Sequence, residues 1–497
     1  MAKTFQNFIN GTWVNAKSGK TFENRNPANW AEVLGTFPSS SKDDVDEAVK
    51  AARAAFERWR LVPAPHRGDI LRKVGDLMTA RKDEIARRMT REMGKVLLET
   101  RGDVQEGIDT AYYAATEGRR LFGHTVPSEL PNKFNMAMRM PIGVAGIITP
   151  WNFPMAIPTW KIFPALVCGN TVVFKPASDT PETATILVEI LAEAGIPEGV
   201  INLVHGGGGA VGMAIVEHPD IDLVSFTGST SVGKKIAELA GKSLKRVSLE
   251  LGGKNAQIVM EDANLDLALD GVLWGAFGTT GQRCTATSRL ILHENIYDKF
   301  LSMLVAGVKK LRVGDGLKEG THVGPLVNEG QREVVEEYVK IGTDEGATVL
   351  HGGKRLSGGE HEKGWFHEPT ILVNVTPDMR VAREEIFGPV LSVLKVSSVE
   401  QAIEVSNNTK YGLSSSMYTQ NIGYAYTAIR DIKAGITYIN SPTIGAEAHM
   451  PFGGVKETGN GHREGGWTVF EFYSEWKTVY IDYSGKLQRA QIDTEGT

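Results

Sequence analysis

The sequence predicts an α/β fold built on parallel sheets and divided into at least two domains. Short, continuous apolar runs recur at 144–149, 171–174, 200–204, 223–226 and 247–249, as strands buried on both faces require. Helix-length segments separate them. One opens on Asp179-Thr180-Pro181-Glu182 and closes on Ala194-Gly195, with proline in its first turn and glycine at its end. The chain's 497 residues exceed what one hydrophobic core organises.

In chain order, Phe8-Ile9-Asn10-Gly11-Thr12-Trp13-Val14 reads as a hairpin turning at Asn10-Gly11. Ser41 caps a helix whose first turn holds Asp43, Asp44 and Asp46 and whose apolar stripe runs from Val45 to Trp59. Ile70, Leu71, Val74, Leu77 and Met78 mark a second helix. A third contains Arg91-Glu92-Met93-Gly94-Lys95, and a fourth spans 104–115. The dense charge of these helices reads as a solvated face, and no chemistry is assigned to it. After the five strands, helices at 297–311 and 332–346 alternate with apolar runs at 290–292 and 391–396, a second parallel sheet.

Ligands bind parallel sheets at the carboxyl ends of the strands, and those ends are polar and glycine-rich here. The first ends in Pro150-Trp151-Asn152-Phe153-Pro154 and the second in Lys175-Pro176-Ala177-Ser178. The third runs into His205-Gly206-Gly207-Gly208-Gly209, and the fourth into Thr227-Gly228-Ser229-Thr230-Ser231-Val232-Gly233, which opens a helix. Such a turn sets backbone N–H groups against a phosphate. Four such ends on one edge point to a dinucleotide site.

Of the two cysteines, Cys168 lies in an apolar run and reads as a small buried hydrophobe. Cys284 lies in Gly281-Gln282-Arg283-Cys284-Thr285, where a tight turn is expected and Arg283 would favour a thiolate. It is the candidate nucleophile. With 54 Lys+Arg against 59 Asp+Glu and no basic stripe, a nucleic-acid partner is not expected. No apolar run approaches the ~20 residues of a membrane span, the N-terminus lacks a signal-peptide core, and two cysteines make no disulfide framework. A cytoplasmic protein without a metal site is the expectation.

Five motifs in order, Pro-Trp-Asn-Phe-Pro, Phe-Thr-Gly-Ser, Leu249-Glu250-Leu251-Gly252-Gly253-Lys254, Gly-Gln-Arg-Cys and Glu384-Glu385-Ile386-Phe387-Gly388-Pro389, resemble the aldehyde dehydrogenase superfamily from about residue 8 to about residue 480. The resemblance implies that Cys284 attacks an aldehyde and that Asn152 and the Cys284 backbone N–H form an oxyanion hole. Hydride then leaves for NAD or NADP, and Glu250 activates the water that hydrolyses the thioester. It implies that Lys175 and Glu385 hold the riboses, that Trp151 and Ser229 meet the pyrophosphate beside Gly208, Gly228 and Gly233, and that Phe387 packs near the nicotinamide. Glu250 argues against the branch that transfers the acyl group to coenzyme A. Three parts follow from the resemblance: an NAD(P)-binding domain at 1–117 and 142–250, a catalytic domain at 251–452, and an oligomerisation arm with the tail at 118–141 and 453–497. The arm's alternating strands, 134–140 and 477–481, need a partner edge, which implies a homodimer or homotetramer.

Two substrate signals differ. Thr437-Tyr438-Ile439-Asn440-Ser441-Pro442-Thr443-Ile444-Gly445-Ala446-Glu447 resembles the antiquitin branch, whose aldehydes carry a remote carboxylate, with Ile444 in place of an expected serine. The residues around Cys284 resemble the 2,5-dioxovalerate (2-oxoglutarate semialdehyde) branch, and a broad aldehyde range stays open. A cofactor-independent thiol esterase would leave the four strand ends unexplained. A fold that had lost catalysis would have no reason to keep Asn152, Lys175, Glu250, Cys284 and Glu385 together. Where NAD-preferring relatives often carry glutamate, this chain has Ser178, which does not repel a 2′-phosphate; Ser178 equally suits a cap for the helix near Thr180. NADP is therefore expected to serve at least as well as NAD.

Overall fold

The computed structural model describes residues 3–492. The chain opens with strands β1 (Lys3–Thr4), β2 (Asn7–Ile9), β3 (Thr12–Val14), β4 (Thr21–Asn26) and β5 (Asn29–Pro38). The β2–β3 hairpin turns through Asn10 and Gly11, both at positive φ. Helices α1 (Lys42–Trp59), α2 (Ala64–Ala80), α3 (Lys82–Met93) and α4 (Leu97–Glu117) follow. Ser41 stands at the N-cap of α1, and the Asp44 carboxylate accepts from the Ser41 backbone N–H at 2.8 Å.

Strands β6 (His124–Pro127) and β7 (Lys133–Pro141) lead into the first sheet. Its members are β8 (Val144–Ile148), β9 (Thr171–Lys175), β10 (Ile201–Leu203), β11 (Leu223–Thr227) and β12 (Arg246–Glu250), with the β2–β3 hairpin on one edge. Between them run α5 (Ala156–Cys168), α6 (Pro181–Ala194), α7 (Met213–Glu217) and α8 (Thr230–Gly241). The five central strands are parallel, in the order β12-β11-β8-β9-β10, and their residues are almost wholly buried because helices cover both faces. Register pairs Thr227 with Glu250 and Ile148 with Lys175, which brings the polar strand ends to one edge.

The second sheet begins at β13 (Asn255–Val259), followed by α9 (Leu265–Phe277), β14 (Thr287–His293), α10 (Tyr297–Val308), α11 (Glu329–Asp344), β15 (Thr348–His351), β16 (Thr370–Val373), β17 (Val390–Val396), β18 (Ser414–Tyr418) and β19 (Ile436–Ile439). Its order is β15-β16-β17-β14-β13-β18-β19, parallel except at the β15–β16 edge. Strand β20 (Ser474–Asp482) pairs antiparallel with β7 along nine residues, and β6 completes this arm. Of the polar tail at 484–497, Gln488 donates to the Pro131 carbonyl at 2.8 Å, and residues 493–497 lie outside the described part.

The helical charge expected to be solvated is partly internal. Glu92 is buried because its carboxylate accepts from the Glu182 and Thr183 N–H groups, tying α3 to the first turn of α6. Burial pushes its carboxyl up to about 8. Lys95 and Asp103 form an ion pair at 2.7 Å with both side chains fully buried. A helix face is solvated only where no neighbour packs on it, and α3 and α4 are covered on more than one side, α4 by α2, α3 and α5.

Candidate active site

Cys284 stands in the loop between α9 and β14, close to the amino ends of β13 and β14 and across from the carboxyl end of β12. A 3-10 turn, Gly278–Gly281, precedes it. Thr279 (φ 51°), Thr280 (φ 58°) and Gly281 (φ 68°) all have left-handed backbone. For a β-branched residue that conformation costs about 1–3 kcal/mol, and at Gly281 a Cβ would come within 2.1 Å of the Gly388 carbonyl. Glu99 of α4 holds the loop: its carboxylate accepts from Thr279 N–H at 2.8 and 2.9 Å and from Arg283 Nη2 at 2.8 Å. Arg283 Nε also donates to Thr279 Oγ1 at 2.9 Å. Asn255 Nδ2 donates to the Cys284 carbonyl at 2.7 Å, fixing the loop's far side.

Arg283 is thus not the thiolate partner expected of it. Its charge is spent on Glu99, and the Cys284 thiol is pushed up to about 12 by burial and by the Glu250 and Glu385 carboxyls. Burial and these carboxyls favour the protonated thiol. Cys168 is buried among apolar side chains of α5, as expected.

Asn152 follows β8 and is buried, with Nδ2 3.2 Å from the Gln282 carbonyl and Oδ1 without a partner. Beneath it, Lys95 Nζ donates to the Asn152 backbone carbonyl at 2.9 Å, and Asp103 Oδ1 accepts from Ala156 N–H at 2.7 Å. Glu250 ends β12 with neither carboxylate oxygen hydrogen-bonded. Burial, and then the charge of Glu464, raises its carboxyl well above the usual range. Glu464 is itself paired with Lys161 at 2.6 Å, and Lys161 also donates to Ser225 at 2.9 Å. Lys95, Asp103, Lys161 and Glu464 went unrecognised in sequence because the contacts that tie them to the site span the chain: 57 residues from Lys95 to Asn152, 53 from Asp103 to Ala156 and 303 from Lys161 to Glu464.

Two cavities meet at Cys284. One, of about 330 Å³, is lined by Phe153, Ile157, Trp160, Phe452, Glu250 and Cys284, with Arg283, Glu106, Gly445 and Ala446 in its wall. Ile444 is buried and turned out of this lining, so its side chain neither supplies nor withholds a donor there. The other, of about 270 Å³, is lined by Trp151, Asn152, Gly228, Ser229, Cys284, Glu385 and Phe387. Trp151 and Phe387 meet edge to face at 5.3 Å, with Phe387 held at φ 58°. Glu385 accepts from Gly253 N–H at 3.0 Å, and a Cβ at Gly252 would strike it at 2.3 Å. Burial raises its carboxyl to about 7.

Lys175, Ser178 and Gly208 form a neighbouring patch rather than lining this cleft. Lys175 Nζ donates to the Pro176 carbonyl at 2.7 Å, and burial lowers it to about 8. Ser178 does not cap α6, whose N-cap is Thr180; its hydroxyl donates to the Gly206 carbonyl at 3.2 Å. Gly208 opens a π-helical turn, Gly208–Gly212, and a Cβ on Gly207, Gly208 or Gly209 would meet no atom, so the segment presents open backbone. Gly233 lies in α8 against Leu251, where a Cβ would come within 2.4 Å. Ser229 stands at the N-cap of α8 without a side-chain cap bond and lines the cleft, so that the helix N-terminus lies beside it. Open glycine backbone, a helix N-terminus, a buried lysine and a buried carboxyl at successive strand ends fit a dinucleotide.

A cysteine between a cleft that fits a dinucleotide and an apolar cavity, with an unpaired carboxyl beside it, is the setting of a nicotinamide-dependent oxidoreductase. The chain belongs to the aldehyde dehydrogenase family, whose model matches residues 13–479. It is 44% identical to alpha-ketoglutaric semialdehyde dehydrogenase of Bacillus subtilis, over 96% of this chain and 98% of that one. It is also 44% identical to 2,5-dioxopentanoate dehydrogenase of Saccharolobus solfataricus, over 94% and 97%. Among solved structures, an NAD-dependent aldehyde dehydrogenase from Sinorhizobium meliloti superposes with a TM-score of 0.95 at 40% identity, covering 99% of this chain and 97% of that one. The chain is therefore an oxidoreductase acting on aldehydes with NAD or NADP. Among the described residues, no helix is long and apolar enough to cross a membrane.

Proposed function

We propose that this enzyme oxidises a short aldehyde with a remote carboxylate, of the 2-oxoglutarate semialdehyde type, to the dicarboxylic acid. The carrying observation is the small cavity that ends at Cys284 and Glu250 and has Arg283 and the Gly445-Ala446 backbone in its wall. The two semialdehyde-oxidising relatives support the same substrate class.

Cys284 releases its thiol proton to solvent water and Sγ attacks the aldehyde carbon, forming the C–S bond as the C=O π bond breaks and leaves negative charge on oxygen. Asn152 Nδ2 exchanges its Gln282 carbonyl for that oxygen, alongside the Cys284 backbone N–H, and one such donor is worth roughly 10²–10³ in rate. The cleft lined by Trp151, Asn152, Ser229, Glu385 and Phe387 would hold a nicotinamide beside Cys284, and that group would supply the hydride acceptor; Cys284 then carries the acyl group as a thioester. Glu250 takes a proton from water as the water attacks the thioester; the C–S bond breaks, the acid leaves and the thiol is restored. A carboxyl raised toward neutrality suits this role better than an ordinary one, because a stronger base takes the proton more readily.

Lys175 and Glu385 hold the riboses in this reading, Trp151, Ser229 and the backbone at Gly208, Gly228 and Gly233 receive the phosphates, and Phe387 bounds the nicotinamide pocket. Ser178, carrying no charge, admits a 2′-phosphate, so NADP serves at least comparably to NAD. The same reading takes 1–117 with 142–250, 251–452, and 118–141 with 453–497 as cofactor domain, catalytic domain, and arm plus tail of a cytoplasmic homodimer or homotetramer. The edge strand β20, with Trp476, Tyr480 and Ile481 exposed, supports the last point; a 54.1 kDa particle in light scattering contradicts it. The substrate is tested by comparing 2-oxoglutarate semialdehyde, aminoadipate semialdehyde and pentanal with both cofactors. The highest kcat/KM is expected for 2-oxoglutarate semialdehyde, and a higher value for pentanal overturns the reading.

A further inference from the structure

The wall of the substrate cavity carries two polar groups that the reaction leaves unused. Glu106, on α4, has a buried Oε1 without a hydrogen-bond partner. Trp160, on α5 and only 9% exposed, has a buried Nε1 also without one. The indole N–H faces the Glu106 carboxyl closely enough to favour its charged form, but the contact falls short of hydrogen-bond geometry. Both belong to a cavity lining that includes Phe153, Ile157 and Phe452, and apart from each other neither atom has a polar neighbour at hydrogen-bond geometry. A buried polar group left unsatisfied is destabilising, and two side by side in a ligand cavity are the mark of a group supplied from outside.

The charges of the cavity single out the same residue. Asp103 is paired with Lys95, Glu99 with Arg283, and Glu464 with Lys161. Among the described residues lining the cavity, the carboxyls without an ion pair are Glu250, the proposed base, and Glu106.

We propose that Glu106 and the Trp160 indole N–H form the recognition pair for the remote 2-oxo acid end of the aldehyde, each donating a hydrogen bond to it. The inference rests on the semialdehyde reading above. The charged and titratable groups facing Glu106 are Asp103 and Asp109 on its own helix, Arg283 from the cysteine loop and Tyr438 from β19, beside the Trp160 indole. Burial, followed by the two aspartates, pushes its carboxyl up to about 8, so at neutral pH it keeps the proton it donates. Above that, Glu106 becomes an acceptor and an anion facing an anion. Discrimination against an anionic aldehyde then grows with pH, whereas a neutral aldehyde of the same length meets no such repulsion.

The test measures, across pH, the ratio of kcat/KM for 2-oxoglutarate semialdehyde to kcat/KM for pentanal, with pentanal as the internal reference for folding and thiol chemistry. In the wild type the ratio should fall about tenfold per pH unit above about pH 8. Glu106→Gln keeps a donor and cannot ionise, so its ratio should be flat there. Trp160→Phe should lower the ratio several-fold at every pH. If the wild type prefers the semialdehyde but Glu106→Gln keeps the alkaline fall, the recognition pair is wrong and the substrate reading stands. If the wild type shows no preference for the semialdehyde at any pH, both fall.

Discussion

Replacing Lys95 with methionine removes the ammonium that meets both the Asp103 carboxylate and the Asn152 carbonyl. Its Nζ sits 2.7 Å from Asp103, 2.9 Å from the Asn152 carbonyl and 3.8 Å from the centre of the Phe153 ring, with both members of the ion pair fully buried. Methionine fills the volume but leaves the Asp103 carboxylate uncompensated and the Asn152 carbonyl without its donor. Stranding one member of a buried pair costs about 3–5 kcal/mol. Asp103 still accepts from Ala156 N–H, which places the expected loss near the lower end, about 3 kcal/mol. Because the same ammonium positions Asn152, kcat should drop as well, by up to the ~10²–10³ of a lost oxyanion donor. Urea unfolding at fixed protein concentration and steady-state kinetics measure the two effects. Lys95→Met with Asp103→Leu should recover much of the stability, since no buried charge remains, but not the rate. A stability loss below about 1 kcal/mol for Lys95→Met would show that Asp103 is solvated and that the pair does not carry the Asn152 loop.

Cys284→Ala should abolish oxidation, while Cys168→Ala, a small deletion in a packed helix, should cost about 1 kcal/mol of stability and leave turnover intact; an inactive but folded Cys168→Ala reverses the assignment. Alkylation of Cys284 by iodoacetamide in the cofactor-free enzyme should accelerate about tenfold per pH unit through the neutral and alkaline range, because only the thiolate reacts and the thiol titrates near about 12; a plateau below pH 8 would mean the resting thiol is activated after all. Glu250→Gln should give one burst of reduced cofactor per site followed by very slow turnover, and absence of both burst and acyl-enzyme would move Glu250 to an earlier step. In the wild type kcat should rise with pH as Glu250 loses its proton, the sign expected of a base whose carboxyl lies above its usual range. Ser178→Glu should weaken NADP far more than NAD, and a wild-type preference for NAD of about a hundredfold in kcat/KM, about 2.7 kcal/mol, would show that Ser178 does not set the choice.

The sequence by itself determined the parallel sheet. Strands covered on both faces must be apolar throughout, so 144–149 and 223–226 stand out from any other element, and the chemistry gathers at their carboxyl ends because backbone N–H groups become free there. Asn152 and Glu250 stood out for that reason, one following β8 and the other ending β12, whereas Cys284 stood out by its small and polar flanks and Glu385 by the motif around it. The tertiary structure decided what surrounds them. Arg283 is adjacent to Cys284 in sequence, yet its guanidinium pairs with Glu99, 184 residues earlier in the chain. Lys95, Asp103 and Glu106 look like any charged helix surface until α5 covers them. Whether a charge is solvated, paired or left to titrate depends on what packs against it, and one-dimensional spacing records only the residue's own helix.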